Sequence, residues 1–112
     1  MREVTAMNKY QRQMRMQQTA VDVLRRDPSL LSDIRLRDRL DTIAGQTFGQ
    51  PYGRCITLWE ALLRDGDVDE VSRVVLQDTE FGGYMRTVSP LGVLVTPEQR
   101  RAVVCGDTLV AA

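Results

Sequence analysis

Helix-start signals recur along this chain at intervals too short to leave room for much else. Thr96-Pro97-Glu98-Gln99 is the fullest of them. It combines a threonine N-cap, a proline at the first helical position, where its missing N–H would be unpaired anyway, and a glutamine able to reach back to the cap. Asp27-Pro28 offers the same cap-and-proline pair, Asp67 followed by Glu70 has capping-box spacing, and Asp78-Thr79 can cap a further helix. Helix ends are interleaved with these starts: Gly45, Gly66, Ser89-Pro90 and Gly106 each suit a terminus. The punctuation predicts an all-α fold, a single compact bundle of about five to six helices in one domain over residues 1–112, with 1–7 and 107–112 flexible.

Apolar spacing fills in the segments. From about Asn8 to Arg26 there is no Gly or Pro, and Met7, Tyr10, Met14, Val21 and Leu24 recur at helical steps if Gln17 is one polar interruption of the stripe. A second helix is expected from Pro28 to about Ala44, burying Leu31, Ile34, Leu36, Leu40 and Ile43, with Gly45 as its left-handed cap. The alternating Arg35, Arg37, Arg39 and Asp33, Asp38, Asp41 read as local ion pairs on that helix.

Gly45 to Arg54 reads as a loop, in which Phe48 and Tyr52 either fold back over the core or form an exposed aromatic binding loop. Ile56 to about Asp65 carries Ile56, Leu58, Trp59, Leu62 and Leu63 over so wide an arc that it should be the central element, with Trp59 as a core anchor. Val68, Val71, Val74 and Val75 should face inward from a fourth helix. Phe81, Tyr84, Met85 and Val88 form the apolar set of a fifth, which Gly82-Gly83 weakens. Leu91 to Val95 is an irregular connector rather than a strand, since nothing is evident for a strand to pair with, and the last helix runs to about Cys105.

Composition removes whole classes of chemistry. The chain has no histidine, the usual general base near neutral pH and the commonest metal ligand. The glycines at 45, 49 and 53 lack the Lys-Ser/Thr that completes a phosphate loop. The acids at 65, 67, 69 and 70 look like a calcium loop only superficially, because Gly66 is misplaced and no acid closes a twelve-residue loop; a helix end followed by an N-cap explains them. No enzymatic activity, metal or cofactor is therefore expected. No apolar run approaches the roughly 20 residues that cross a bilayer, and the N-terminus lacks the apolar stretch of a secretory signal. A cytoplasmic location without membrane contact is expected, with Cys55 and Cys105 as isolated thiols.

Net charge is zero, but it is unevenly spread: residues 1–26 carry Arg2, Lys9, Arg12, Arg15, Arg25 and Arg26 against Glu3 and Asp22, while residues 60–80 hold seven acids against Arg64 and Arg73. The order of segments RRDPSLL, LWEALL and MRTVSPLGVLVTPEQRRAV resembles a group of small bacterial accessory proteins encoded near toxin–antitoxin or mobile-element loci. Arg86, Ser89, Pro90, Leu94, Pro97 and Arg100 carry the likeness, and Leu91 and Arg101 stand where that group often has an aromatic residue and a tryptophan. The resemblance implies an antitoxin-like protein that binds and neutralises a cognate toxin.

The residues themselves point to binding of a cognate protein, with Tyr10, Arg12, Met14, Arg15, Phe48, Tyr52 and Arg86 as contacts; methionines such as Met14 and Met16 make adaptable apolar surface. A homodimer is compatible with this. Two other readings stand beside it. One is a nucleic-acid-binding regulator using Lys9, Arg12, Arg15 and the glutamines of the first helix, and the other is a structural phage or mobile-element component. Under both the partner-binding and the nucleic-acid reading, loss of residues 1–18 is expected to leave the protein folded, provided the core is built from the helices after Pro28.

Overall fold

The computed structural model describes residues 8–105 of the chain. Asn8 opens the first helix, α1 (Lys9–Arg26), with a reciprocal cap: its carboxamide oxygen accepts from the Gln11 N–H at 2.8 Å, and the Gln11 side chain accepts from the Asn8 N–H at 3.0 Å. Along α1 the side chains of Gln17, Ala20, Val21 and Leu24 form one buried stripe. The single polar interruption foreseen in that stripe makes a half-buried hydrogen bond, with the Ser89 hydroxyl donating to Gln17 Oε1 at 2.7 Å.

Asp27 then accepts from the Ser29 N–H, and the chain makes a short 3-10 turn over Pro28–Ser32. The single helix expected from Pro28 to Ala44 is interrupted at Asp33, whose carboxylate accepts from the Arg35 N–H at 2.9 Å and caps a new helix, α2 (Ile34–Gln46). A short acidic side chain competes for nearby backbone donors, which explains the break. Restarting there turns Ile34 outward to 64% exposure, whereas Leu31, Leu36, Leu40 and Ile43 are buried as their spacing predicts. Gly45 is not the left-handed cap; it stays inside α2, and the left-handed glycine of the following turn is Gly49.

That turn is shorter than foreseen, because α3 (Tyr52–Asp65) begins before Ile56. Pro51 has no side chain with which to cap it, and Gln50 Oε1 accepts from the Arg54 N–H instead. Cys55, Ile56, Trp59, Leu62 and Leu63 are buried along α3, and the indole N–H of Trp59 donates to the Met85 carbonyl at 2.9 Å. Gly66 ends α3 with φ 68°, as its position requires.

Asp67 caps α4 (Val68–Val75) by accepting from the Asp69 and Glu70 N–H groups. Glu70 does not return the bond; its carboxylate holds Arg73. Thr79 caps α5 (Glu80–Thr87) through the Gly82 N–H at 3.0 Å. Met85 and Val88 enter the core, while Phe81 remains 42% exposed. A 3-10 turn over Leu91–Leu94, the predicted connector, plugs Leu91 and Leu94 into the core. The reciprocal pair Thr96 and Gln99, at 2.8 and 3.1 Å, then opens α6 (Pro97–Cys105). Six α-helices and two 3-10 turns thus make an all-α bundle, with no strand among the described residues. The terminal segments expected to be flexible, 1–7 and 107–112, lie outside them.

Gly82 illustrates a constraint that helix propensity hides. A Cβ placed there would stand 2.2 Å from the Gln77 carbonyl oxygen, whereas one on Gly83 meets nothing closer than Arg86 Nη2 at 3.8 Å. Gly82→Ala is therefore expected to destabilise the protein by about 1–3 kcal/mol through overpacking. Gly83→Ala should instead gain up to about 1 kcal/mol of helix propensity. Urea denaturation of the two variants checks the pair, and equal effects would show that the approach of Gln77 does not matter.

The core departs from expectation in one respect that bears on function. It does not begin after Pro28: α1 packs against α4, α5, α6 and both 3-10 turns, and its buried stripe joins the residues of α2 and α3 in one cluster. A helix whose place on or off the core the sequence leaves open is a central element.

Candidate functional site

Seven residues stand out in the sequence as contacts, and the fold disperses them. Arg86 is 3% exposed and unavailable at the surface. Its Nη1 donates to the carbonyls of Val75 at 3.0 Å and Gln77 at 2.7 Å, which closes the open carbonyl end of α4. Its guanidinium carbon lies 5.3 Å from the centre of the Tyr10 ring, a cation–π contact, and its Nε and Nη2 have no hydrogen-bond partner among the described residues. Backbone carbonyls and an aromatic face therefore compensate the burial of this cation in part, and the fold encloses Arg86 rather than presenting it at the surface.

Tyr10 covers Arg86 and donates its hydroxyl to the Asp78 carboxylate. That bond, with burial and the Asp78 charge acting in the same sense and Arg86 opposing, raises the phenol above its ordinary value. The ring is still 44% exposed. Tyr52 lies in α3 rather than in a loop and meets Tyr84 edge-on, with ring centres 5.7 Å apart; the Tyr84 hydroxyl in turn donates to Glu80. Folding back over the body of the protein thus describes Tyr52 but not Phe48, which is 84% exposed.

The remaining residues flank the buried stripe of α1 on two sides. On one side Tyr10, Gln11, Met14, Arg15 and Gln18 outline a shallow hollow of about 300 Å³ contributed by α1 alone. On the other side the walls come from several elements. One hollow of about 250 Å³ lies between the first turns of α1 and Val104 of α6. A second, of about 400 Å³, reaches Arg39 of α2, Ser89, the second 3-10 turn and Arg100 of α6. Met16 and Gln17 line both, so the two hollows adjoin along one flank of α1.

Arg12 belongs to this flank and not to the side that holds Met14 and Arg15. Sequence reasoning missed Arg39, which reads locally as one partner in an alternating charge series. Ser89 and Arg100 carried a signal only as part of the motif shared with the accessory-protein group. Arg100 Nη2 donates to the Gly92 carbonyl at 2.9 Å, which holds that guanidinium against the wall of the second hollow.

This arrangement suits recognition of anionic and apolar groups. Cys55 is buried, and burial pushes its thiol above the ordinary value, which disfavours the nucleophilic thiolate. Among the described residues there is no cluster of three or more Cys, Asp or Glu side chains placed to hold a metal, and no helix is long and apolar enough to cross a membrane. No protein-family model matches the chain, and no curated protein or solved structure is significantly similar to it.

Proposed function

We propose that this chain is a non-catalytic, cytoplasmic binding protein of the antitoxin or inhibitor class, which docks a cognate protein on the N-terminal half of α1. One observation carries the reading. Residues 17–24 of α1 supply four buried side chains, whereas residues 9–16 supply none, although the same rigid helix continues through them. Tyr10 and Met14, one helical turn apart, are thereby presented on an anchored scaffold with their apolar surface incompletely covered. A helix already ordered by the core loses little conformational entropy on binding, so such residues contribute more of their contact energy to affinity. The likeness of MRTVSPLGVLVTPEQRRAV to the accessory-protein group supports the same class.

The reading is tested by placing a photo-cross-linking residue at Met14 and, in a separate protein, at the exposed Thr42 of α2, in the native host. One discrete protein adduct from position 14 and none from position 42 is expected. With that protein purified, Met14→Ala should raise the dissociation rate roughly tenfold, while Arg15→Ala mainly slows association and reduces its salt dependence. No adduct at position 14, or identical adducts from both positions, would count against the proposal.

A further inference from the structure

The hairpin of α2 and α3 carries a surface that docking on α1 does not use. The two helices pack against each other and are joined by the short Thr47–Pro51 turn, the arrangement of an antiparallel helical hairpin. Between them lies a hollow of about 430 Å³, with the buried Leu40 and Leu63 as its floor and the exposed Arg37, Asp41, Glu60 and Arg64 around its rim. Antiparallel packing puts the earlier rim residue of one helix beside the later rim residue of the other. Arg37 and Arg64 therefore stand together at one end, and Asp41 and Glu60 stand at the other, about 6 Å along the helix axes.

Arg37 with Asp41, and Glu60 with Arg64, have the four-residue spacing of local ion pairs. Neither pair is made. Among the described residues the side chains of Arg37, Asp41 and Glu60 enter no ion pair or hydrogen bond, and Arg64 reaches only Asp65, at 3.6 Å. The rim is thus a small dipole with an open cationic end and an open acidic end.

Such a face is complementary to a second copy of itself under one symmetry and not another. A two-fold axis lying along the helices would set the cationic ends of the two copies on each other. An axis lying across the helices instead lays α2 antiparallel on α2 and α3 on α3, so that each Arg37 meets an Asp41 and each Arg64 meets a Glu60. The shape of α2 suits this second arrangement. Ile34, 64% exposed, continues the Arg37–Asp41 stripe by one turn, and its counterpart across that axis is position 44. Ala44 and Gly45 are exposed there, and a Cβ on Gly45 would meet nothing within 4 Å, so the isoleucine has room to lie on a small-residue patch. Thr42, about 100° around α2 from Asp41, stays outside the contact.

We infer that this face joins two copies of the chain into a two-fold dimer. The dimer uses neither flank of α1, so it stands or falls separately from docking of a cognate protein there. Exposed ion pairs contribute little each, and a two-helix face is smaller than a standard interface, so the expected dissociation constant lies between about 1 μM and 1 mM. Sedimentation equilibrium of the full chain should show monomer and dimer across that range, with association about tenfold weaker at about 500 mM salt than at about 50 mM.

Arg37→Asp and Asp41→Arg each set like charges against each other, and each should weaken self-association by about tenfold or more. Thermal melting should be unchanged in both, because the two side chains are exposed. Mixed in equal amounts, the two variants should associate as the unaltered protein does, since each supplies on α2 the charge that the other lacks. Both substitutions in one chain should likewise restore the dimer, and Ile34→Ser should weaken it severalfold. A chain that stays monomeric up to about 1 mM would overturn the inference. So would association that neither single substitution weakens, which places the dimer on another face, or variants that stay apart when mixed, which excludes the axis across the helices.

Discussion

Deleting residues 1–18 is expected to abolish the cooperative unfolding transition. The cut removes the Asn8 cap and the buried Gln17, leaving Thr19 to Arg26 of α1, a remnant too short to pay for its own nucleation. Ala20, Val21 and Leu24, all 0–2% exposed, would then depend on a helix that no longer forms independently. Arg86 would also lose the Tyr10 ring that lies over its guanidinium. Thermal denaturation followed by near-ultraviolet circular dichroism checks this. A sharp transition within a few degrees of the intact protein on heating would show that the first half of α1 is dispensable. The expectation also governs how binding experiments are read: loss of a partner on truncation reports unfolding, so only point substitutions such as Met14→Ala isolate a contact.

Trp59→Ala should cost about 3–5 kcal/mol. Trp59 is fully buried in α3, and its truncation empties the largest side-chain volume in the core. Part of that cost, about 1–3 kcal/mol, comes from the Met85 carbonyl, a buried acceptor that loses the indole N–H now donating to it. Trp59→Phe separates the two effects, because it keeps most of the packing and removes the hydrogen bond; about 1–3 kcal/mol is expected for it. Met85 precedes Arg86, whose Nη1 closes α4, so the indole bond joins α3 to the α4–α5 corner. Trp59→Ala and an Arg86 substitution should accordingly combine non-additively. Equilibrium denaturation gives these values, and a cost under about 1 kcal/mol for Trp59→Ala would contradict its role as anchor.

Much of the helical layout was legible because caps act over two or three residues. Asp67, Thr79 and Thr96 each find their N–H donors within that distance, and Gly66 takes the left-handed conformation that ends α3 wherever α3 happens to pack. Asp33 obeys the same local rule; its signal was present but was read as an ion-pairing residue inside a longer helix. Apolar spacing likewise identified most of the buried residues of α2, α3 and α4.

The candidate sites were less legible because burial and charge environment are relations between segments distant in sequence. Gln17 looks like a solvent-facing gap in a stripe until Ser89, far along the chain, donates to it. Arg86 belongs to a motif that reads as a contact surface, yet the carbonyl end of α4 and the ring of Tyr10 enclose it. Arg39 has acids beside it in sequence, but its place in the bundle puts it with Arg100 along one hollow, with no carboxylate among the described residues that line it. Sequence by itself determined where helices begin and end, since a cap is satisfied by its immediate neighbours. Only the tertiary structure decided which cations are buried, which are paired and which gather along one hollow, since each of those depends on what a distant helix brings against them.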